Sequence, residues 1–159
     1  MKIIGIVGHA QEKFTKDTEM KARDVIVGII EAHSPCIVVS GRCPMGGIDV
    51  WAEEIAYSLG QEFIPYEPKI NVWQPTNNGY GFRARNLDIA KSDIVYNIVV
   101  EEYPVEYTGR EFFDYHCHDK RSGKWIGDTP PHIKSGGCWT ARKAIESGNK
   151  GVWKIIRKD

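Results

Sequence analysis

Apolar residues along this chain fall into two patterns, short continuous runs and longer segments with helical spacing. Four continuous runs predict buried strands: KIIGIV, CIVVS, DIVYNIVV and KGVWKII. A weaker run, EFIPY, predicts a fifth strand. Between these runs, apolar residues recur three and four positions apart, which is typical of amphipathic helices.

The predicted helices alternate with the strands. The first spans residues 16–32, with an apolar face made of Met20, Val25, Ile26, Ile29 and Ile30. The second ends near Gly60, and its face is made of Ile48, Trp51, Ala52, Ile55, Ala56 and Leu59. FRARNLDIAKS and TARKAIES predict two shorter helices. Continuous apolar strands that alternate with helices indicate one α/β domain over residues 1–159, with a doubly wound, mostly parallel five-stranded sheet.

One segment breaks this alternation. Residues 101–134 contain Glu, Tyr, Gly, Asp, His and Pro without a sustained period, and they form a long insert before the last helix. Loops of this length inside a compact domain are usually functional or separately braced. We therefore expect the insert to lie close to a functional site.

Composition and charge exclude several classes of protein. Lys+Arg and Asp+Glu are both 21, which excludes a global basic field for nucleic acid but not a local basic patch. No apolar run approaches the roughly 20 residues of a membrane helix, and the glycine-broken N-terminus does not resemble a signal peptide. We expect a cytoplasmic protein without membrane contact. The four cysteines are too sparse for a disulfide framework, so they predict free thiols or metal ligands.

Three glycine turns stand at the predicted strand ends or helix starts: GHA, SGRCPMGGID and SGGCWT. The carboxyl ends of parallel strands meet at one edge of a sheet, where glycine turns and helix N-termini let backbone N–H groups approach an anion. A single such turn is equally explained by the sterics of a tight connection. Three turns at one edge predict a phosphate-bearing ligand.

These segments resemble the SLOG superfamily of Rossmann-like nucleotide-binding proteins. That superfamily includes DNA-processing proteins of the DprA type and the phosphoribohydrolases known as LOG. The shared pattern is a Ser-Gly turn leading to Gly-Ile-Asp, an Arg-Asn pair before the fourth strand, and Gly-Gly-x-x-Thr before the last helix. The resemblance covers most of the chain apart from the insert, and it implies a Rossmann-like fold.

The resemblance and the glycine turns together imply a nucleotide or phosphate site made of Gly8, His9, Ser40, Gly41, Gly46, Gly47, Asp49, Arg85, Asn86, Gly136, Gly137 and Thr140. Arg85 offers a bidentate fork for phosphate, and Thr140 offers a hydroxyl near a helix N-terminus. We expect loss of Arg85 to weaken ligand binding and leave the fold intact. Asp49 has an alternative role as a charge that the helix dipole favours, and Arg83 is expected to be solvated.

Catalysis is left open by departures from the LOG pattern. Trp139 replaces the inner glycine of the family's Gly-Gly-x-Gly-Thr turn, and Arg142 and Lys143 stand where a catalytic glutamate is expected. Cleavage of an N-glycosidic bond through an oxocarbenium-like state needs such a carboxylate. The remaining candidates are Glu101, Glu102 and Asp93.

Three functions follow from these observations. Binding of a nucleotide or nucleotide derivative, as a sensor or carrier, ranks first. A nucleotide N-glycosidase or transferase of the LOG or deoxyribosyltransferase type is the second. Binding of single-stranded DNA is the third and is not favoured; it is motivated by five tryptophans, which are more often core residues, and by Arg83, Arg85, Arg142 and Lys143. Members of the superfamily often pair through helices, so we expect a homodimer.

The insert also concentrates residues that bind metals. Cys117, His132 and Cys138, with Asp114 or His118 as a fourth ligand, predict a structural zinc that would brace a loop lacking its own apolar core. No CxxC pair is present, however. The alternative is an ordinary polar loop or one that contains a catalytic base.

Overall fold

The computed structural model describes residues 1–69, 81–107 and 136–157, and it contains a sheet of five parallel strands. The spatial order is β3-β2-β1-β4-β5. The strands are β1 (Lys2–Gly8), β2 (Cys36–Ser40), β3 (Glu62–Pro65), β4 (Ile94–Val100) and β5 (Lys150–Ile156). The predicted Rossmann-like α/β fold is confirmed, and every strand pairing in this sheet is parallel.

Within the described residues, four α-helices cover the two faces of the sheet. They are α1 (Lys16–His33), α2 (Ile48–Ser58), α3 (Phe82–Ala90) and α4 (Gly136–Glu146). Helices α1 and α2 share one core cluster with the sheet, and α3 and α4 share the other. Within the described ranges, no helix has both the length and the apolar character needed to cross a membrane. The structure contains one chain, so the homodimer stays a prediction.

The direction of strand addition reverses at β1, which pairs with β2 on one side and β4 on the other. In such sheets the crevice at the carboxyl ends of the two central strands is the usual ligand position. His9 lies at this point: its N–H donates to the Ile98 carbonyl oxygen at 3.2 Å, and its Nδ1 accepts from the Val100 N–H at 3.2 Å. These two hydrogen bonds therefore link the residue after β1 to β4 where the strand order reverses.

The apolar face of α1 differs from the prediction at Met20, whose side chain is 66% exposed. The buried positions of this helix are Thr18, Ala22, Ile26, Ile29 and Ile30. They recur at three- and four-residue intervals, whereas Met20 lies two residues from both Thr18 and Ala22. At 100° per residue it therefore points away from the sheet.

Helix α4 begins at Gly136, four residues before the predicted start at Thr140. A buried side chain of β4 explains the early start. In the amide orientation that satisfies its neighbours, the Asn97 side-chain oxygen accepts from the Cys138 N–H at 3.3 Å and from the Trp153 Nε1–H at 3.2 Å. This contact holds the first turn of α4 on β4 and β5 despite the low helix propensity of its glycines.

Candidate functional site

A buried polar cluster lies at the carboxyl end of β2. The Ser40 hydroxyl donates to the Ile6 carbonyl oxygen at 2.6 Å, which anchors the end of β2 on β1. Asp49, in the first turn of α2, accepts from the Cys43 N–H at 3.2 Å and so closes the loop between β2 and α2. Ser40 and Asp49 are both buried. The loop is therefore held from inside by its own polar groups.

Arg85 connects this loop to α3. Its Nη1 donates to the Gly41 carbonyl oxygen at 2.6 Å and lies 3.9 Å from Asp49 Oδ2, while its Nε donates to Asn86 Oδ1 at 2.7 Å. The side chains of Arg85 and Asp49 are each 9% exposed. The structure thus brings together five predicted site residues: Ser40, Gly41, Asp49, Arg85 and Asn86.

Opposing effects act on the pKa of the Asp49 carboxyl. Burial raises the pKa of the Asp49 carboxyl above its ordinary value, while the Arg85 guanidinium and the hydrogen bond from Cys43 work in the opposite direction. Asp49 lies in the first turn of α2, as the helix-dipole alternative requires. It is also the buried carboxyl that faces Arg85, so both descriptions apply.

Glycine is required by internal packing at the turns after β1 and β2. Gly47 has φ +87°, and a Cβ at this position would lie 2.6 Å from Gln11 N, 2.7 Å from Ala10 C and closer still to the His9 carbonyl oxygen. Gly8 and Gly41 leave no room for a Cβ either, and Gly46 has φ +74°. The steric explanation of these glycines therefore holds, and a phosphate contact at Gly46 and Gly47 stays a prediction.

Among the described residues, the start of α4 leaves more room for a Cβ than the turns after β1 and β2 do. A Cβ at Gly136 would meet, within the three described stretches of chain, only Asn86 Nδ2, at 3.5 Å. At Gly137 it would instead collide with the Asn97 side chain. The buried Thr140 hydroxyl donates back to the Gly136 carbonyl oxygen at 2.6 Å. Gly136 and Asn86 thus face shared space, whereas Gly137 and Thr140 make contacts inside the fold.

The candidate catalytic carboxylates lie at two opposite edges of the sheet. Asp93 precedes β4 and accepts from the Ile3 N–H at 2.8 Å, which places it at the amino edge of the sheet, opposite the predicted site. Asp93 therefore lies away from the predicted site. Glu101 follows β4 at the carboxyl edge, but it pairs with Arg157 at 3.1 Å on the surface. Glu102 follows Glu101 at the same edge.

Sequence reasoning missed a cluster of aromatic and cationic side chains at the point where the strand order reverses. The Lys13 ammonium lies 5.6 Å and 5.9 Å from the ring centroids of Tyr103 and Tyr107, distances that allow cation–π attraction. The His9 and Tyr103 rings meet edge to face at 5.5 Å. The two tyrosines that follow β4 in the sequence could have indicated this cluster.

The cysteines only partly follow the prediction. Cys36 and Cys43 are free thiols, as expected, whereas Cys138 is buried and disulfide-bonded, which contradicts the prediction for that residue. Within the described ranges no three His, Cys, Asp or Glu side chains come close enough to hold a metal ion. The other predicted zinc ligands, Asp114, Cys117, His118 and His132, lie outside those ranges, so the zinc site stays a prediction.

Comparison with known proteins gives a structural similarity. No protein-family model matches the sequence, and no curated protein matches it. The X-ray structure of DNA processing protein A (DprA) from Streptococcus pneumoniae is similar, with a TM-score of 0.45 and 17% sequence identity. The match covers 97% of this chain and 59% of that chain, so this chain spans less than two thirds of the DprA chain. The similarity concerns architecture alone, and no residue role is carried over from it.

Proposed function

We propose that this protein binds a nucleotide or a nucleotide-derived phosphate ligand at the carboxyl edge of the sheet, with the phosphate in front of the first turn of α4. The observation that carries the proposal is the position of Asn86 Nδ2, 3.5 Å from where a Cβ on Gly136 would lie. An amide donor and a helix N-terminus then face the same space, and both attract an anion.

The two helix starts at this edge differ in a way that favours α4. The Ile48 N–H in the first turn of α2 donates to the His9 carbonyl oxygen at 3.2 Å, and the Asp49 carboxyl lies in the same turn. Acceptors and negative charge from the chain itself therefore already occupy the start of α2. Gly136, at the start of α4, has no side chain and faces an amide donor.

Arg85 supports this site indirectly. Its Nε donates to Asn86 Oδ1, so the oxygen of the amide faces Arg85 and the Nδ2 donor faces Gly136. Arg85 is thus a positioning residue that orients the phosphate donor. This role replaces the direct bidentate contact expected from the sequence.

Replacement of Asn86 by aspartate tests the proposal. Aspartate keeps an oxygen for Arg85 but puts a negative charge where the Nδ2 donor was, so nucleotide affinity should fall at least tenfold, or about 1.4 kcal/mol. Isothermal titration with ribonucleoside mono-, di- and triphosphates measures the change, and thermal unfolding confirms that the variant is folded.

Asn149→Asp is the matched control for this test. Asn149 Nδ2 donates to the Ala90 carbonyl oxygen at the opposite end of α3, and Asn149 immediately precedes β5, at the amino edge of the sheet. Its replacement should leave nucleotide affinity unchanged. An absence of nucleotide binding by the native protein, or equal losses in the two variants, would contradict the proposed site.

Zinc binding by Cys117, His132 and Cys138, with Asp114 or His118, is a separate proposal that rests on the ligand chemistry of the insert. A disulfide sulfur is not a thiolate ligand, so this site requires reduced Cys138. Elemental analysis of untagged, reduced protein should give about one equivalent of zinc, and a chelator should lower the unfolding temperature. Less than about a tenth of an equivalent, with unfolding indifferent to chelator, argues against it.

A further inference from the structure

Arg83, Trp139 and Lys143 form a cluster where α3 meets α4, here named the Trp139 cluster. The Arg83 guanidinium carbon lies 5.8 Å from the centroid of the Trp139 ring, and the Lys143 ammonium lies 5.4 Å from it. Both distances are in the range of cation–π attraction. Two positive side chains from different helices are thereby held beside one aromatic ring.

The positive charge of this cluster is only partly balanced. Among the described residues, Arg83 has no carboxylate within ion-pair distance; its charge is held by the ring of Trp139. Lys143 pairs with Glu146 at 2.9 Å, but the two side chains are 34% and 61% exposed. Exposed pairs of this kind contribute little and exchange readily for a stronger anion. Arg83 is exposed, as expected from the sequence, and its guanidinium also lies beside the Trp139 ring.

The cluster lies next to the proposed phosphate position. Arg83 precedes Asn86 by three residues, and Trp139 follows Gly136 by three, so each pair shares a face of its helix. Arg83 and Trp139 are therefore each about one helical turn, roughly 5 Å along the helix axis, from Asn86 and Gly136 respectively. Long Arg and Lys side chains span such a distance.

We propose that the Trp139 cluster is a second anion subsite, and that the ligand of this protein is a nucleoside di- or triphosphate rather than a monophosphate. This inference rests on the proposed function, because the first phosphoryl group must occupy the start of α4. Arg83 and Lys143 then contact the next phosphoryl group with charge-assisted hydrogen bonds. Trp139 is a positioning residue that holds both cations against its ring.

Inorganic phosphate and pyrophosphate test the subsite without any assumption about the nucleobase. Titrations at constant ionic strength should show pyrophosphate binding at least tenfold more tightly than phosphate. In Arg83→Gln and Lys143→Gln this advantage should shrink by about tenfold and about threefold respectively, while phosphate affinity is retained. The larger loss is expected for Arg83 because, among the described residues, no carboxylate pairs with it, whereas Lys143 pairs with Glu146.

Two control comparisons sharpen the test. Lys91→Gln removes a positive charge near the other end of α3, where Lys91 is exposed and lies 3.4 Å from Asp88, and it should change neither affinity. Trp139→Phe keeps a ring under the cations and should preserve the pyrophosphate advantage. Trp139→Leu removes the ring and should lose most of that advantage while phosphate affinity stays unchanged.

The outcomes separate this inference from the proposed function. If neither anion binds, or if phosphate binding survives Asn86→Asp, the proposed site itself is wrong and the subsite falls with it. If phosphate binding depends on Asn86 but the pyrophosphate advantage is absent or unchanged in Arg83→Gln, only the subsite is wrong. Arg83-dependent binding of a single-stranded oligonucleotide without any pyrophosphate preference also overturns the inference, in favour of a nucleic-acid surface.

Discussion

Replacement of Gly47 by alanine should lower the free energy of unfolding by about 2–6 kcal/mol. Two costs add at this position. The backbone angles of Gly47, φ +87° and ψ −142°, lie in a region that residues with a Cβ rarely adopt, at a cost of about 1–3 kcal/mol. The added carbon would also press on the backbone of residues 9–11, and overpacking of rigid atoms costs about 1–3 kcal/mol more. Chemical denaturation followed by circular dichroism measures the loss.

Gly148→Ala is a control for a positive φ without a steric clash. Gly148 has nearly the same φ, +86°, but a Cβ there meets no other atom within 4 Å among the described residues. Its replacement should therefore cost only the backbone term, about 1–2 kcal/mol. Equal losses in the two variants would show that the turns after β1 and β2 do not pack as closely as described.

Replacement of Arg85 by methionine should cost about 3–5 kcal/mol of stability, because it leaves the buried Asp49 carboxyl without its cation. The sequence-based expectation that Arg85 could be removed with the fold intact is therefore revised. Methionine preserves much of the side-chain volume, so lost packing contributes little to the effect. Denaturation of the variant at neutral pH measures it.

A second substitution distinguishes loss of the charge pair from loss of the hydrogen bond to Gly41. In the double variant Arg85→Met, Asp49→Asn no uncompensated charge remains, so about half or more of the lost stability should return. A double variant that is less stable than Arg85→Met alone would mean that Asp49 does not interact unfavourably when Arg85 is absent. Asp49 would then be stabilised mainly by the loop and the helix dipole.

The sequence predicts the sheet and its helices because continuous apolar runs and helical spacing are local signals. It also predicts which turns meet at the carboxyl edge, since parallel strands fix that edge. The displaced start of α4 depends on Asn97, a residue in another element whose partner cannot be identified from spacing. The amide side chain of Asn97 inside the buried strand DIVYNIVV was nevertheless a visible sign of a specific contact.

The roles of individual site residues were less predictable. Glycine is needed both where a ligand approaches the backbone and where another loop does, and the sequence alone does not separate the two. Gly47 packs against His9, whereas Gly136 faces an amide donor. Arg85 similarly has the right chemistry for phosphate, but its hydrogen bonds go to Gly41 and Asn86. Only the three-dimensional arrangement distinguishes a binding group from the group that orients it.

The side-chain oxygen of Asn97 serves two donors at once, the Cys138 N–H in the first turn of α4 and the indole N–H of Trp153 in β5. Any shift of that first turn redistributes hydrogen bonding at this shared acceptor. Indole emission is sensitive to hydrogen bonding at its nitrogen, so Trp153 gives the chain a native optical reporter for the carboxyl edge. A ligand that binds as proposed and moves this turn should therefore change the emission of Trp153, and Trp153→Phe identifies that change among the five tryptophans.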